Sequence, residues 1–107
     1  MKISTLISRA YGQAKLSGFH DDPGVTFGDR VALVHSELSE ALEAFRKSKS
    51  LEASQVNGKP EGVPSELADV VIRVADMCGL YGIDLESAIG LKMAYNSTRP
   101  KLHGKKF

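Results

Sequence analysis

The chain of 107 residues lacks tryptophan and has a single cysteine, Cys78. One cysteine excludes a disulfide within the chain. Its place among Met77, Leu80 and Tyr81 predicts a buried thiol with a structural role. Aromatic residues make up only 7% of the chain, so a core has to be built from Leu, Val, Ile, Ala and Met. This length predicts one small domain, residues 1–107, that would bury more apolar surface by associating with a second copy.

A strong charge imbalance and a long hydrophobic run are also absent. The 14 basic and 13 acidic residues leave a net charge of +1, which argues against binding to a nucleic-acid polymer or a membrane surface. No apolar run approaches the roughly 20 residues that span a bilayer. No apolar signal segment follows Met1 either, so we expect a cytoplasmic protein.

Apolar residues instead recur at helical spacing in most of the chain. This pattern predicts an all-α, antiparallel four-helix bundle-like domain that assembles as a dimer or tetramer. Thr26 and Asp84 are suitable N-caps for the second and fourth helices. The predicted helices run from about Ile3 to Leu16, Thr26 to Lys47, Pro64 to Tyr81, and Asp84 to Ser97.

Two segments show no helical pattern. Residues 48–62 are polar and aperiodic, and they predict a mobile loop that is long enough to have a function such as that of a lid. Residues 100–107 form a basic tail that we expect to be irregular, because Pro100 prevents the fourth helix from continuing.

Two pairs of carboxylates carry most of the functional information: Glu37 with Glu40, and Glu66 with Asp69. In a helix, i and i+3 side chains project from one face. Isolated acids usually face water, but the second pair lies on the only polar strip of a nearly all-apolar helix. If the second and third helices are neighbours, the pairs can form a four-carboxylate cluster. Such a cluster favours Mg²⁺, with Mn²⁺ as the alternative, over zinc.

Magnesium held by carboxylates usually completes its coordination with water and substrate phosphates. Lys92 and Asn96 are i and i+4 on the fourth helix, and Arg99 lies one turn further along the chain. These three residues could receive a phosphate. They could equally be a basic helix C-terminus that complements the helix dipole. Arg73 continues the polar strip of the third helix and could reach a substrate too.

Together these residues resemble the signature of the MazG-like all-α nucleoside triphosphate pyrophosphohydrolases, which include dCTP pyrophosphatase-like members. That signature is Glu-Glu-x-x-Glu, a variable gap and Glu-x-x-Asp, and the similarity runs from about Leu33 to Pro100. Ser36 replaces the first Glu of the doublet. The matching motifs here are Glu37-x-x-Glu40, Glu66-x-x-Asp69, Lys92-x-x-x-Asn96 and Arg99-Pro100.

The resemblance implies Mg²⁺-dependent hydrolysis of nucleoside triphosphates, often deoxy or non-standard, to the monophosphate and pyrophosphate. It implies a homo-oligomer, with Asn96 contacting the nucleotide and Lys92 and Arg99 placed for phosphate. We take Glu40 as the residue that orients or deprotonates the attacking water. The metal ligands implied by the resemblance are Glu37, Glu40, Glu66 and Asp69.

Two alternatives remain open. A helical dimerisation module without catalytic activity would account equally well for the apolar third helix. A related all-α hydrolase could act on a different pyrophosphate compound, such as a phosphoribosyl nucleotide of histidine synthesis.

Overall fold

The computed structural model describes all 107 residues and is mainly helical, as predicted. Four helices are present, and their ends fall within one or two residues of the predicted ones. None of them combines the length and apolar character needed to cross a bilayer. The helices are α1 (Ile3–Leu16), α2 (Phe27–Ser48), α3 (Val63–Tyr81) and α4 (Leu85–Ser97).

Local capping interactions fix these helix ends. At the start of α2, the Thr26 hydroxyl accepts from the Asp29 amide at 3.1 Å, and the Asp29 carboxylate accepts from the Thr26 amide at 2.9 Å. These hydrogen bonds hold the pKa of Asp29 below its usual range. Asp84 caps α4 by accepting from the Ser87 amide at 3.1 Å. Gly82 ends α3 in the left-handed conformation that a glycine adopts without strain.

The segment 48–62 requires a correction to the all-α prediction. It contains a hairpin of two short antiparallel strands, β1 (Ser54–Val56) and β2 (Lys59–Glu61). Asn57 and Gly58 form the two-residue turn, both with positive φ. That dipeptide is a strong hairpin signal, because a type I′ turn needs positive φ at both central residues.

The basic tail also differs slightly from prediction. Residues Lys101–Gly104 form a hydrogen-bonded turn that is not a regular helix. Leu102 and His103 within it have positive φ, so this turn does not continue α4.

Helix α3 is central, because both α1 and α2 pack against it. Small side chains allow close approach: a Cβ on Gly79 would lie 2.6 Å from the Cβ of Tyr11 on α1. Burial raises the pKa of the Cys78 thiol, which is the buried, unpaired cysteine that the sequence predicts. The buried residues are Ala10, Ala41, Val63, Ala75 and Cys78.

Contacts between α2 and α3 show that these helices run antiparallel. Phe27 at the start of α2 packs edge-on against Tyr81 at the end of α3, with ring centroids 5.2 Å apart. Further along, Glu37 of α2 pairs with Arg73 of α3. Residues later in α2 therefore lie beside residues earlier in α3. This antiparallel arrangement determines which side chains of the two helices are neighbours.

Helix α4 is peripheral, and its main contact is with α1. Leu91 and Met93 are 75% and 67% exposed. The accessible surface is 8126 Å², whereas a compact monomer of this mass exposes about 5,800 Å². The radius of gyration is 16.2 Å, against about 13 Å for a compact domain of this length. A single chain therefore leaves much apolar surface in water.

Helix α2 also exposes apolar side chains to solvent. Among the apolar residues of α2, Ala41 is buried and Val31 and Val34 are partly buried. Leu38 and Leu42 remain about half exposed. They line a shallow apolar groove that ends at Val63.

Candidate metal centre

Three of the four predicted metal ligands converge where α2 packs on α3. Glu37 and Glu40 lie one turn apart on α2, and Glu66 lies in the first turn of α3. One carboxylate oxygen from each lies within 4.8 Å of the other two. Ligands on opposite sides of Mg²⁺ lie about 4.2 Å apart, because each Mg–O bond is about 2.1 Å long. Small side-chain rotations would therefore bring this group, the acid cluster, to a magnesium-binding geometry.

Asp69 lies outside the acid cluster. It follows Glu66 by one turn of α3, is exposed, and lines a neighbouring cleft together with Glu37. Its negative charge nevertheless contributes to the raised pKa of Glu66. The expected four-carboxylate cluster is therefore a group of three with Asp69 beside it.

The acid cluster carries unfavourable charge in the absence of a cation. The pKa of Glu66 is raised, first by burial and next by the nearby charge of Glu40 and a hydrogen bond with it. Asp69 and Glu37 add smaller contributions in the same direction. A divalent cation with oxygen ligands would offset this repulsion, so the donor set fits Mg²⁺ or Mn²⁺.

Arg73 occupies part of this site as an internal cation. Its Nε donates to Oε1 of Glu37 at 2.7 Å. The Glu37 side chain is only 14% exposed, while that of Arg73 is 36% exposed. The predicted substrate-binding arginine is thus bonded to a predicted metal ligand. Because Arg73 is partly solvated, it can leave Glu37 when another cation replaces it.

A cleft of about 460 Å³ opens beside the acid cluster, between α1, α2, α3 and the connection that follows α1. Small-molecule sites usually have volumes of about 300–1,000 Å³. Glu37, Asp69 and Arg73 line it near the acid cluster, and Arg30 and Asp76 supply further charged groups. The cleft therefore adjoins the acid cluster and is large enough for an organic group.

A partly buried pair supports one wall of this cleft. His20 Nε2 lies 2.7 Å from Oδ1 of Asp76, and the His20 side chain is 9% exposed. The His20 ring stacks on Tyr11 with centroids 5.0 Å apart. Sequence reasoning missed this pair, since its members are separated by 56 positions and no periodicity relates them.

Arg30 was also missed, although the sequence does contain a signal for it. It precedes Glu37 by seven residues, which is two helical turns, and therefore lies on the same face of α2. A search of that face for charged residues would have found it.

The predicted phosphate-binding residues of α4 are not joined to the acid cluster within one chain. Lys92, Asn96 and Arg99 do not line the cleft. Helix α4, which carries the first two and ends just before Arg99, packs mainly on α1. Lys92 and Arg99 each lie 5.6 Å from the ring centroid of Tyr95. The amide oxygen of Asn96 is shielded from solvent and has no hydrogen-bond partner.

Comparison with known proteins adds nothing to this geometry: no protein-family model, no curated protein and no solved structure matches the chain.

Proposed function

We propose that this protein is a Mg²⁺-dependent hydrolase that converts nucleoside triphosphates, preferentially deoxynucleoside triphosphates, to the monophosphate and pyrophosphate. The observation that carries this proposal is the convergence of Glu37, Glu40 and Glu66 beside a cleft of ligand size. The resemblance of the motifs to the MazG-like family supports the choice of substrate.

The roles of the residues follow from their surroundings. A bound Mg²⁺ would neutralise phosphate charge and lower the pKa of a bound water. Glu37 and Glu66, which are partly buried, would hold the cation together with Glu40, and Asp69 lies beside them. Glu40 is the exposed member of the acid cluster and accepts the proton of the attacking water.

The bond changes define the products. The water oxygen forms a bond to the α-phosphorus, and the bond from that phosphorus to the bridging oxygen breaks, which releases pyrophosphate. Arg73, once released from Glu37, donates to the phosphate oxygens and offsets charge that develops on the leaving group.

The proposed active form is a homo-oligomer, either a dimer or a tetramer. The accessible surface exceeds that of a compact monomer by roughly 2,300 Å². Obligate homodimer interfaces bury about 2,000–5,000 Å² in total. In such an assembly, α4 of one copy would complete a four-helix arrangement on another and bring Lys92, Asn96 and Arg99 to its acid cluster.

A dimerisation module without catalytic activity is the second candidate, favoured by the same exposed apolar surface. A dimerisation role does not explain why three carboxylates converge at one site. Burial and the neighbouring acids disfavour the charged form of Glu66 there, as its raised pKa shows. A phosphoribosyl-nucleotide pyrophosphohydrolase is a variant of the first proposal with a different organic group in the cleft.

One assay separates these candidates. The protein is incubated with a panel of NTPs, dNTPs and the phosphoribosyl nucleotide of histidine synthesis, with Mg²⁺ or with EDTA, and pyrophosphate is measured. We expect pyrophosphate from at least one triphosphate, and only with Mg²⁺. Release from the phosphoribosyl compound alone would favour the related hydrolase. No release from any compound by a stable dimer would favour the dimerisation module.

A further inference from the structure

We propose that the far end of the cleft binds the base of the nucleotide and that Arg30 and Asp76 make it selective for bases with an amino group beside ring acceptor atoms, such as cytosine, over uracil and thymine. This inference rests on the proposed function and adds a specificity that the acid cluster itself does not supply.

The antiparallel packing of α2 and α3 puts Arg30 and Asp76 at one level. Arg30 precedes Glu37 by two turns on α2, and Asp76 follows Asp69 by two turns on α3. Because the helices run in opposite directions, both steps lead the same way, about 10 Å from the acid cluster. All four side chains line the same cleft. A ligand with its phosphates at the acid cluster would place its other end between Arg30 and Asp76.

Arg30 has hydrogen-bonding capacity that the protein leaves unused. Its two terminal nitrogens share one acceptor, the Phe19 carbonyl, at a long 3.4 Å each. Its Nε is shielded from solvent and has no partner. A guanidinium offers five N–H donors and no acceptor, and unpaired buried donors are costly. Ring nitrogen or carbonyl acceptors of a base would satisfy them.

Asp76 offers the complementary group. His20 bonds to Oδ1 and holds the carboxylate in place, while no protein group bonds to Oδ2. An ionised carboxylate only accepts hydrogen bonds, so it favours an amino group and repels a carbonyl oxygen at the same position. Cytosine and uracil differ in this way at C4.

The remaining walls suit a flat ring. Phe19, Val25, Leu33 and Ile72 also line the cleft. Aromatic and aliphatic side chains with a few placed polar groups are the usual composition of a site for an organic ligand. The cleft thus has apolar walls, one group that donates hydrogen bonds, Arg30, and one group that accepts them, Asp76.

The test compares dCTP and dUTP with Mg²⁺ and measures kcat and KM for the wild type, Arg30→Met and Asp76→Asn. Arg46→Met is the matched control, since Arg46 lies on α2 with an exposed side chain and only a surface ion pair. We expect the wild type to prefer dCTP by about tenfold or more in kcat/KM. Arg30→Met should raise KM about tenfold with kcat within about threefold, while Arg46→Met changes neither. Asp76→Asn should bring the dCTP to dUTP ratio close to one.

Asp76→Asn also weakens the contact with His20, so the thermal unfolding of this variant is measured alongside its kinetics. Arg30→Met leaves the His20–Asp76 pair intact and tests the cleft independently.

A wild type that prefers dUTP, or variants that keep the wild-type KM and base ratio, would overturn the inference while the proposed function stands. If no triphosphate is hydrolysed, the proposed function fails. Calorimetry with dCMP and dUMP then tests whether the cleft binds a base. Binding of dCMP that is lost in Arg30→Met would support the proposed base pocket. Binding of neither nucleotide would overturn it.

Discussion

The three-helix unit α1–α3 and the peripheral helix α4 with its tail are built differently. In the first, small side chains bring the helices close, and two charge pairs join different segments, Glu37 with Arg73 and His20 with Asp76. In the second, no residue is buried, and large apolar side chains such as Leu91 face water.

We propose that the two regions meet different partners. The three-helix unit contains the acid cluster and the cleft, whose size suits a small ligand. Helix α4 holds the cations that the resemblance assigns to phosphate, but within one chain it does not present them to the cleft. We infer that α4 acquires its packing, and its role in the site, from a second copy.

The most severe test of the three-helix unit is Glu40→Gln. Removal of the proton-accepting carboxylate should lower kcat by about 10²–10⁴-fold, because general base catalysis contributes that much. Glu43→Gln is the matched control: Glu43 lies one turn further along α2, is exposed, and makes only surface ion pairs. Pyrophosphate release is measured for both, with circular dichroism to verify helical content. Wild-type turnover by Glu40→Gln would remove Glu40 from the mechanism.

The relation of the two regions can be tested by mixing inactive variants. Lys92→Ala and Glu40→Gln are each expected to be inactive alone. If α4 acts on the site of a partner, co-expressed chains should recover about a quarter of wild-type activity, since half of the randomly formed dimers carry one intact site. The measurement is pyrophosphate release from the purified mixture. No recovery, with mixed dimers verified by mass spectrometry, would place both residues in the site of a single chain.

The acid cluster should also make stability depend on pH and Mg²⁺. The pKa of Glu66 is raised in the folded protein, so the folded state binds the proton more tightly than the unfolded chain does. The free energy of unfolding should then fall as pH rises from the usual glutamate range through the raised pKa. Thermal unfolding without divalent cations from about pH 4 to 8 measures this loss.

Saturating Mg²⁺ should reverse that loss at the upper end of the range, because only the folded state brings the three carboxylates together. Glu66→Gln is the control, and it should remove most of this pH dependence. A melting temperature of the wild type that does not respond to Mg²⁺ would count against a metal centre.

The smallest expected effect compares the two helix caps. Thr26→Ala should lower the free energy of unfolding by about 1 kcal/mol, a typical cost for a lost N-cap. Asp84→Ala removes an equivalent cap from α4 and should cost less in dilute, monomeric protein, since α4 makes few contacts whose loss unfolds the rest. Urea unfolding of both variants measures the difference. Equal losses would show that α4 folds cooperatively with the three-helix unit in one chain.

Local chemistry explains what could be predicted. The end of α3 and the starts of α2 and α4 depend on Gly82, Thr26 and Asp84, whose side chains or backbone freedom act within a few residues. The hairpin was missed although Asn57-Gly58 signals it, because the polar composition around it favoured an unstructured loop.

The site could be predicted only in part. Helical spacing put Glu37 and Glu40 on one face, but whether Glu66 would meet them depended on α2 and α3 being neighbours, which the spacing did not show. It did not distinguish Asp69 from Glu66, since the two share a face of α3 and only the packing level separates them.

The sequence by itself determined the helices, their caps and the candidate acids, since these depend on periodicity and on contacts between near neighbours. Only the tertiary structure decided that Glu66 meets Glu40, that His20 supports Asp76, and that α4 stands apart from the acid cluster. Those relations depend on how far α2 and α3 are offset along their common axis and on which helices pack together. The packing of the whole chain determines this offset and these helix pairs, and no local sequence pattern encodes them.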